Sequence, residues 1–210
     1  MATILHVRSS PRGAGSFSAR AAEGFIAAYE RGHPDTATRT LDVFSSDLPA
    51  FDAPSAEAKY AVMGGAAPAD DAERAWRDVI AAVEQLKAAD VLVISAPMWN
   101  FAIPYRLKQW IDLIVQPSLT FSFDPQAGYA GLITGKSAVL LLARGSDYAA
   151  GTPAEGMDMQ RPYLEAILRF IGFAEIHTIV IGPTMASGPD AADAALARAV
   201  EEAEALARRL

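Results

Sequence analysis

The chain contains no cysteine. That absence excludes a disulfide scaffold, a thiol nucleophile and thiolate metal sites, and it suits a reducing compartment. Histidine is scarce as well: His6, His33 and His177 stand too far apart for metal-ligand spacing, so no metal site is expected. Positive charge is the minority sign. Lys and Arg number 18 against 25 Asp and Glu, a formal net charge of -7, which argues against a nucleic-acid partner. Long apolar runs are missing too. The opening stretch Met1 to Val7 is interrupted by His6, ended by Arg8 and lacks a basic leader. No segment approaches the roughly 20 apolar residues that span a bilayer. The expectation is a soluble cytoplasmic protein with no membrane partner.

What is present is apolar enough to fold. Hydrophobic residues make up 51% of 210, and a chain of this size buries roughly 70% of its unfolded surface. One α/β domain over residues 1–210 accounts for the length. Short β-rich runs alternate with helical patterns. Strands are expected at Thr3–Val7, Thr36–Val43, Val91–Ser95, Ser137–Leu142 and Glu175–Ile181. Helices are expected at Phe17–Arg31, from Asp70 or Asp71 (either as cap) to Ala89, from Pro104 to Val115, at Pro162–Ile171 and at Asp190–Leu210. Residues 44–70, rich in Pro, Gly, Ala and Ser, read as one long loop. His6 and His177 fall inside apolar runs, where packed or hydrogen-bonded core positions are expected. Five strands each followed by a helix imply right-handed parallel βαβ units. The predicted fold is therefore a doubly wound five-stranded parallel sheet, in the flavodoxin-like order 2-1-3-4-5, with helices on both faces.

In such sheets ligands bind beyond the carboxyl ends of the strands, which selects three loops. The first holds Ser9, Ser16, Phe17 and Ser18 around Gly13 and Gly15. Ser16 alone would serve as a helix cap; three serines across a strand–loop–helix turn favour an anion site on unpaired N–H groups. The second runs Pro97-Met98-Trp99-Asn100-Phe101. Phe101 taken singly reads as core packing, whereas the cluster at a strand's end reads as the wall of a planar heteroaromatic ligand. The third is Ala143-Arg144-Gly145-Ser146, where Arg144 reads equally as a ligand contact or as a surface charge paired with Asp147. Two rival motifs fail. Gly13, Gly15 and Ser18 match the dinucleotide fingerprint only partly, and Gly131 to Ser137 has one residue too few for a Walker loop and precedes its strand.

Together these segments resemble the FMN-dependent NADH-azoreductase family of flavodoxin-like quinone reductases, a likeness carried further by Leu119-Thr120-Phe121, Gly131-Leu132-Ile133-Thr134-Gly135-Lys136, Pro162-Tyr163-Leu164 and Phe170-Ile171-Gly172-Phe173. The resemblance implies that Ser9, Ser16, Phe17 and Ser18 hold the FMN phosphate. It places Pro97, Met98, Trp99, Asn100 and Phe101 along the isoalloxazine and ribityl chain, and Ala143, Arg144, Gly145 and Ser146 at the ring's far edge. It also implies NADH or NADPH as donor, quinones or azo compounds as acceptors, a ping-pong two-electron cycle with no catalytic side chain, and a homodimer. Trp99 stands where many members have tyrosine, and Ala143 and Ser146 depart from Ser-Arg-Gly-Gly. Phe121, Phe123 and Tyr129 lie in an insertion before the fourth strand and are expected to bind substrate by covering the flavin face, either of the same chain or of a partner subunit. Two other readings stay open at this point: a flavodoxin-like electron-transfer protein and a flavin-free NAD-dependent dehydrogenase.

Overall fold

Five parallel strands form the centre of the molecule in a computed structural model that describes residues 2–210. β1 (Thr3–Arg8), β2 (Ala37–Asp42), β3 (Val91–Pro97), β6 (Ser137–Ala143) and β7 (Glu175–Ile181) lie in the order β2-β1-β3-β6-β7. With the two strands of a separate hairpin, β4 (Phe121–Asp124) and β5 (Gly128–Gly131), set aside, this is the expected order 2-1-3-4-5. β3 and β6 are apolar along almost their whole length because both sheet faces are covered.

Side-chain alternation sorts the core into two layers. Ile4, Val91, Val93, Val139 and Leu141 pack against α1 (Phe17–Gly32) and α6 (Pro189–Ala207). Leu5, Val7, Leu92, Ile94, Leu140 and Leu142 pack against α3 (Asp70–Lys87), α4 (Tyr105–Ile114) and α5 (Arg161–Ile171). Strand residues of opposite parity thus serve opposite helix layers.

The expected 44–70 loop contains a helix, α2 (Ala53–Met63). Asp52 caps it, accepting from Ser55 N at 3.4 Å, and Pro54 sits in its first turn. The run from Ala56 to Met63 then holds strong helix formers, and the prolines and glycines lie at its ends. Neither Asp70 nor Asp71 caps α3. The N-cap is Ala69 without a side-chain bond, and both aspartates fall within the first turn. Val79, Val83 and Leu86 of α3 are buried, whereas Ile80 is exposed. Pro104 is the N-cap of α4 instead of its first residue.

The insertion before β6 is a hairpin of β4 (Phe121–Asp124) and β5 (Gly128–Gly131). Asp124 Oδ1 closes its turn by accepting from Gln126 N and Ala127 N, both at 2.8 Å. At its base Gly131 lies so close to Gly172 that a Cβ on Gly131 would collide with the Gly172 backbone. Gly172 ends α5 in the left-handed region at φ 117°. In the Gly131–Ser137 segment Lys136 Nζ is engaged by the backbone, donating to Ala89 O at 2.5 Å. Among the described residues no helix is long and apolar enough to cross a membrane.

Candidate functional site

At the carboxyl end of the sheet a cavity of about 260 Å3 lies between β1, β3 and β6. Ser10, Arg12, Ser16 and Phe17 line one side. Pro97, Met98, Trp99, Ala143, Gly145, Thr184 and Met185 line the other. Backbone hydrogen bonds to the neighbouring strands keep the first residues of these loops in register. Met98 N donates to Ala143 O at 2.8 Å, and Arg144 N to Ile181 O at 2.9 Å.

The first loop supplies the polar end. Ser16 is the N-cap of α1, its Oγ accepting from Ala19 N at 3.2 Å, and it also lines the cavity. Cap and anion-site residue are therefore the same side chain. The N–H groups of Phe17 and Ser18 donate to no acceptor among the described residues, so the positive end of a 16-residue helix opens on the cavity. A Cβ on Gly13 would meet nothing within 4 Å, which leaves the approach to the turn clear. Ser9 and Ser18 lie buried beneath this surface. Ser9 Oγ donates to Ser95 O at 2.8 Å, and Ser18 Oγ pairs with Ser16 Oγ at 3.2 Å. They hold the loop in place and leave the cavity wall to Ser10 and Ser16.

Under the loop, His6 Nε2 is 2.9 Å from Ser95 Oγ. Burial, followed by the nearby Arg8 charge, pushes the imidazole down to about 4 against a weaker upward pull from Asp42. His6 is therefore a neutral, hydrogen-bonded core residue. His177 differs from that expectation, since its buried Nε2 has no partner. Arg8 binds Asp42 at 2.6 and 3.1 Å. Burial raises the Asp42 carboxyl, but the Arg8 hydrogen bond and the Phe44 N–H together hold it below its ordinary value.

The second loop supplies the apolar wall. Trp99 and Ala102 exchange backbone hydrogen bonds, both 2.9 Å, around the two-residue turn Asn100-Phe101. Both central residues have positive φ, 48° and 69°, the geometry of a type I′ turn. Asparagine tolerates it; phenylalanine is strained there. The turn aims the Trp99 indole at the cavity rim, where Phe44 and Tyr105 buttress it at ring separations of 5.5 and 6.5 Å. Arg106 in turn fixes the Phe44 loop by donating to Val43 O and Ser46 O at 2.6 and 2.7 Å. Asn100 lines a separate apolar cavity of about 640 Å3 that shares Trp99. The Phe101 ring stands edge-on to Tyr148, 6.3 Å away.

In the third loop the alternation of the strand persists past its end. Ala143 and Gly145 face the 260 Å3 cavity, and Arg144 points the other way. Arg144 is 5% exposed and pairs with Asp158 at 2.8 Å, not with Asp147. Its Nε donates to Gln160 Oε1 at 3.3 Å, and Gln160 Nε2 reaches Ala96 O at 3.4 Å. The Nη2 approach to Asp158 is an ion pair off the line of a hydrogen bond, so that nitrogen keeps an unspent donor. Ser146 lines the cavity on Arg144's side.

Of the thirteen residues expected around a cofactor, Ser16, Phe17, Pro97, Met98, Trp99, Ala143 and Gly145 thus meet on one cavity. Sequence reasoning missed Ser10, Arg12, Thr184 and Met185. The last two follow β7, whose carboxyl end the same loop rule also selects. Phe121, Phe123 and Tyr129 are elsewhere, in a cavity of about 790 Å3 with Lys59, Met63 and Phe170. The hairpin precedes β6, so it lies at the amino end of a seven-residue strand, about 20 Å from the carboxyl end at 3.3 Å per residue.

The whole chain is similar to known proteins. A family model described as flavodoxin-like fold matches residues 2–207. An FMN-dependent NADH:quinone oxidoreductase of Nitratidesulfovibrio vulgaris (strain DP4) is 51% identical over 207 residues, 99% of each chain. FMN-dependent NADH:quinone oxidoreductase 3 of Pseudomonas fluorescens is 43% identical over 212 residues, covering 100% of this chain and 98% of that one. Among solved structures, the azoreductase from Bacillus anthracis str. Sterne superposes with a TM-score of 0.90 at 28% identity, covering 100% of both chains.

Proposed function

Because the chain belongs to the flavodoxin-like family that includes the FMN-dependent NADH:quinone oxidoreductases, we propose that it is itself an FMN-dependent oxidoreductase that takes electrons from NADH and reduces quinones and aromatic azo compounds. The observation that carries this reading is one cavity with two chemically different ends: free helix N–H groups with serine hydroxyls, and a wall of Trp99, Met98 and Pro97. A flat ring with a phosphate tail fits both. Bound there, FMN would accept hydride and pass two electrons to an acceptor.

The chain's own contributions follow from the geometry. Ser10, Ser16 and the Phe17 and Ser18 N–H groups hold the phosphate, and Ser9 with Ser18 Oγ keeps that loop from shifting. Pro97, Met98 and Trp99 wall the ring, and Ala143 and Gly145 let it approach the backbone closely. Asn100 and Phe101 set the turn that aims Trp99. Arg144 and Ser146 support the far edge from behind. Among the described residues the one ionisable side chain on the cavity wall is Arg12, a permanent cation that neither transfers a proton nor attacks, so binding and orientation are the protein's part.

The hairpin is too far from its own chain's cavity to cover it, and Phe123 and Tyr129 present exposed rings. We infer a homodimer in which these rings and Phe121 cover the partner's bound ring and contact the acceptor. One face shared by donor and acceptor makes the cycle ping-pong. The setting is the cytoplasm, where NADH is available.

The purified protein is expected to be yellow, with the flavin bleached rapidly by NADH in a stopped-flow spectrometer and recoloured by a quinone. Slow bleaching with fast one-electron exchange would favour the electron-transfer reading. A colourless protein that stays so after FMN addition would favour a flavin-free dehydrogenase. The same experiment with NADPH sets donor preference. Light scattering that finds a monomer at micromolar concentration, or unchanged quinone kinetics in Phe121→Ala, would refute the role of the hairpin.

A further inference from the structure

Among the described residues Arg12 is the only ionisable side chain lining the 260 Å3 cavity, which Ser10 and Ser16 of the same loop also line. It makes no ion pair among the described residues. Arg8, at the end of β1, is neutralised by Asp42 at 2.6 Å, and Arg144, behind the third loop, by Asp158 at 2.8 Å. Arg12 is folded back over the Gly13–Gly15 turn. Its Nη2 lies 4.0 Å from where a Cβ on Gly15 would sit, and its guanidinium is 5.9 Å from the Phe17 ring centre. An exposed arginine with no acidic partner is unremarkable alone. This one lies over Gly15 and the Phe17 ring, beside a cavity whose other side-chain and backbone donors are neutral, on a chain whose net charge is -7.

We propose that Arg12 is the charge-reading residue of the cofactor site: its guanidinium selects a phosphate monoester dianion, so the chain takes FMN in strong preference to riboflavin. The inference rests on the FMN reading above. Serine hydroxyls and helix N–H groups recognise the shape of a phosphate and contribute a partial positive charge. A guanidinium adds a full charge and two parallel donors matched to phosphate oxygens. Neutral riboflavin offers the same ring to Trp99 and Met98 but nothing to Arg12. Arg12 therefore governs the preference between the two flavins and not the affinity for the ring.

The test is a fluorescence-quenching titration of flavin-free protein with FMN and with riboflavin, at low and high salt. Arg12→Gln is expected to lower the FMN-to-riboflavin affinity ratio about tenfold and to flatten the salt dependence of FMN binding. Arg12→Lys is expected to restore part of the salt dependence. An unchanged ratio, whether through equal loss for both flavins or loss for neither, would overturn the proposal, since Arg12 would then act only through the loop or Phe17. Wild-type protein that binds neither flavin would instead overturn the FMN reading, and this inference with it.

Discussion

The turn that aims Trp99 gives a direct check on the site's backbone. Phe101 sits at φ 69°, and a residue with a Cβ pays about 1–2 kcal/mol there. Substituting Phe101 by glycine or by alanine removes the same ring, so lost packing cancels between the two variants. Only the backbone difference remains. In ordinary helix or strand positions glycine is worse than alanine by about 0.5–1 kcal/mol, because it loses more freedom on folding. At Phe101 the relieved strain exceeds that entropy, so Phe101→Gly is expected to be more stable than Phe101→Ala by about 0.5–1 kcal/mol. With a urea slope of about 2 kcal/mol per molar, its unfolding midpoint should lie about 0.3–0.5 M higher, read by circular dichroism on flavin-free protein. An alanine variant as stable as the glycine variant would show that the turn is not left-handed at this position.

Two further perturbations probe buried polar groups. Because folding depresses His6 from 6.5 to about 4, its contribution is complete above pH 6.5 and is lost as pH falls toward 4; stability should drop by about 2 kcal/mol between pH 7 and pH 5, and His6→Gln should flatten that limb in urea unfolding at the two pH values. Asp158→Asn keeps the acceptor that receives Gln160 N and Arg161 N at 3.0 and 3.1 Å but strands the buried Arg144 charge, so a loss of about 3 kcal/mol is expected; pairing it with Arg144→Met should recover much of that loss, and failure to recover would show that the ion pair is not the cause.

Much of the architecture was readable from the chain because the core strands are apolar on both faces and the connecting helices carry one apolar stripe. Val91–Ser95 and Ser137–Leu142 stand out for that reason, and the carboxyl-end rule then singles out loops that meet on the 260 Å3 cavity. α2 escaped because its flanking prolines and glycines dominate the composition of residues 44–70, although the Asp52–Ser55 cap was there to find. Side-chain direction was the harder matter. Whether Ser9 or Ser10 faces the cavity depends on where β1 stops, and β1 continues through Arg8. Arg144 could not be matched to Asp158 by spacing, since a long loop and a short 3-10 turn intervene. Thr184 and Met185 come from the Gly182–Gly188 loop, which has glycines at both ends but no aromatic cluster to mark it as a ligand wall.

The separation of the hairpin from its own chain's cavity has a genetic consequence. If a neighbour's Phe121 and Phe123 complete each site, a chain defective in the serine loop and another defective in the hairpin are inactive apart. Mixed, they form pairs in which one site has both an intact loop and an intact cover. Two dead proteins would then yield a live one, with half the sites of the wild type.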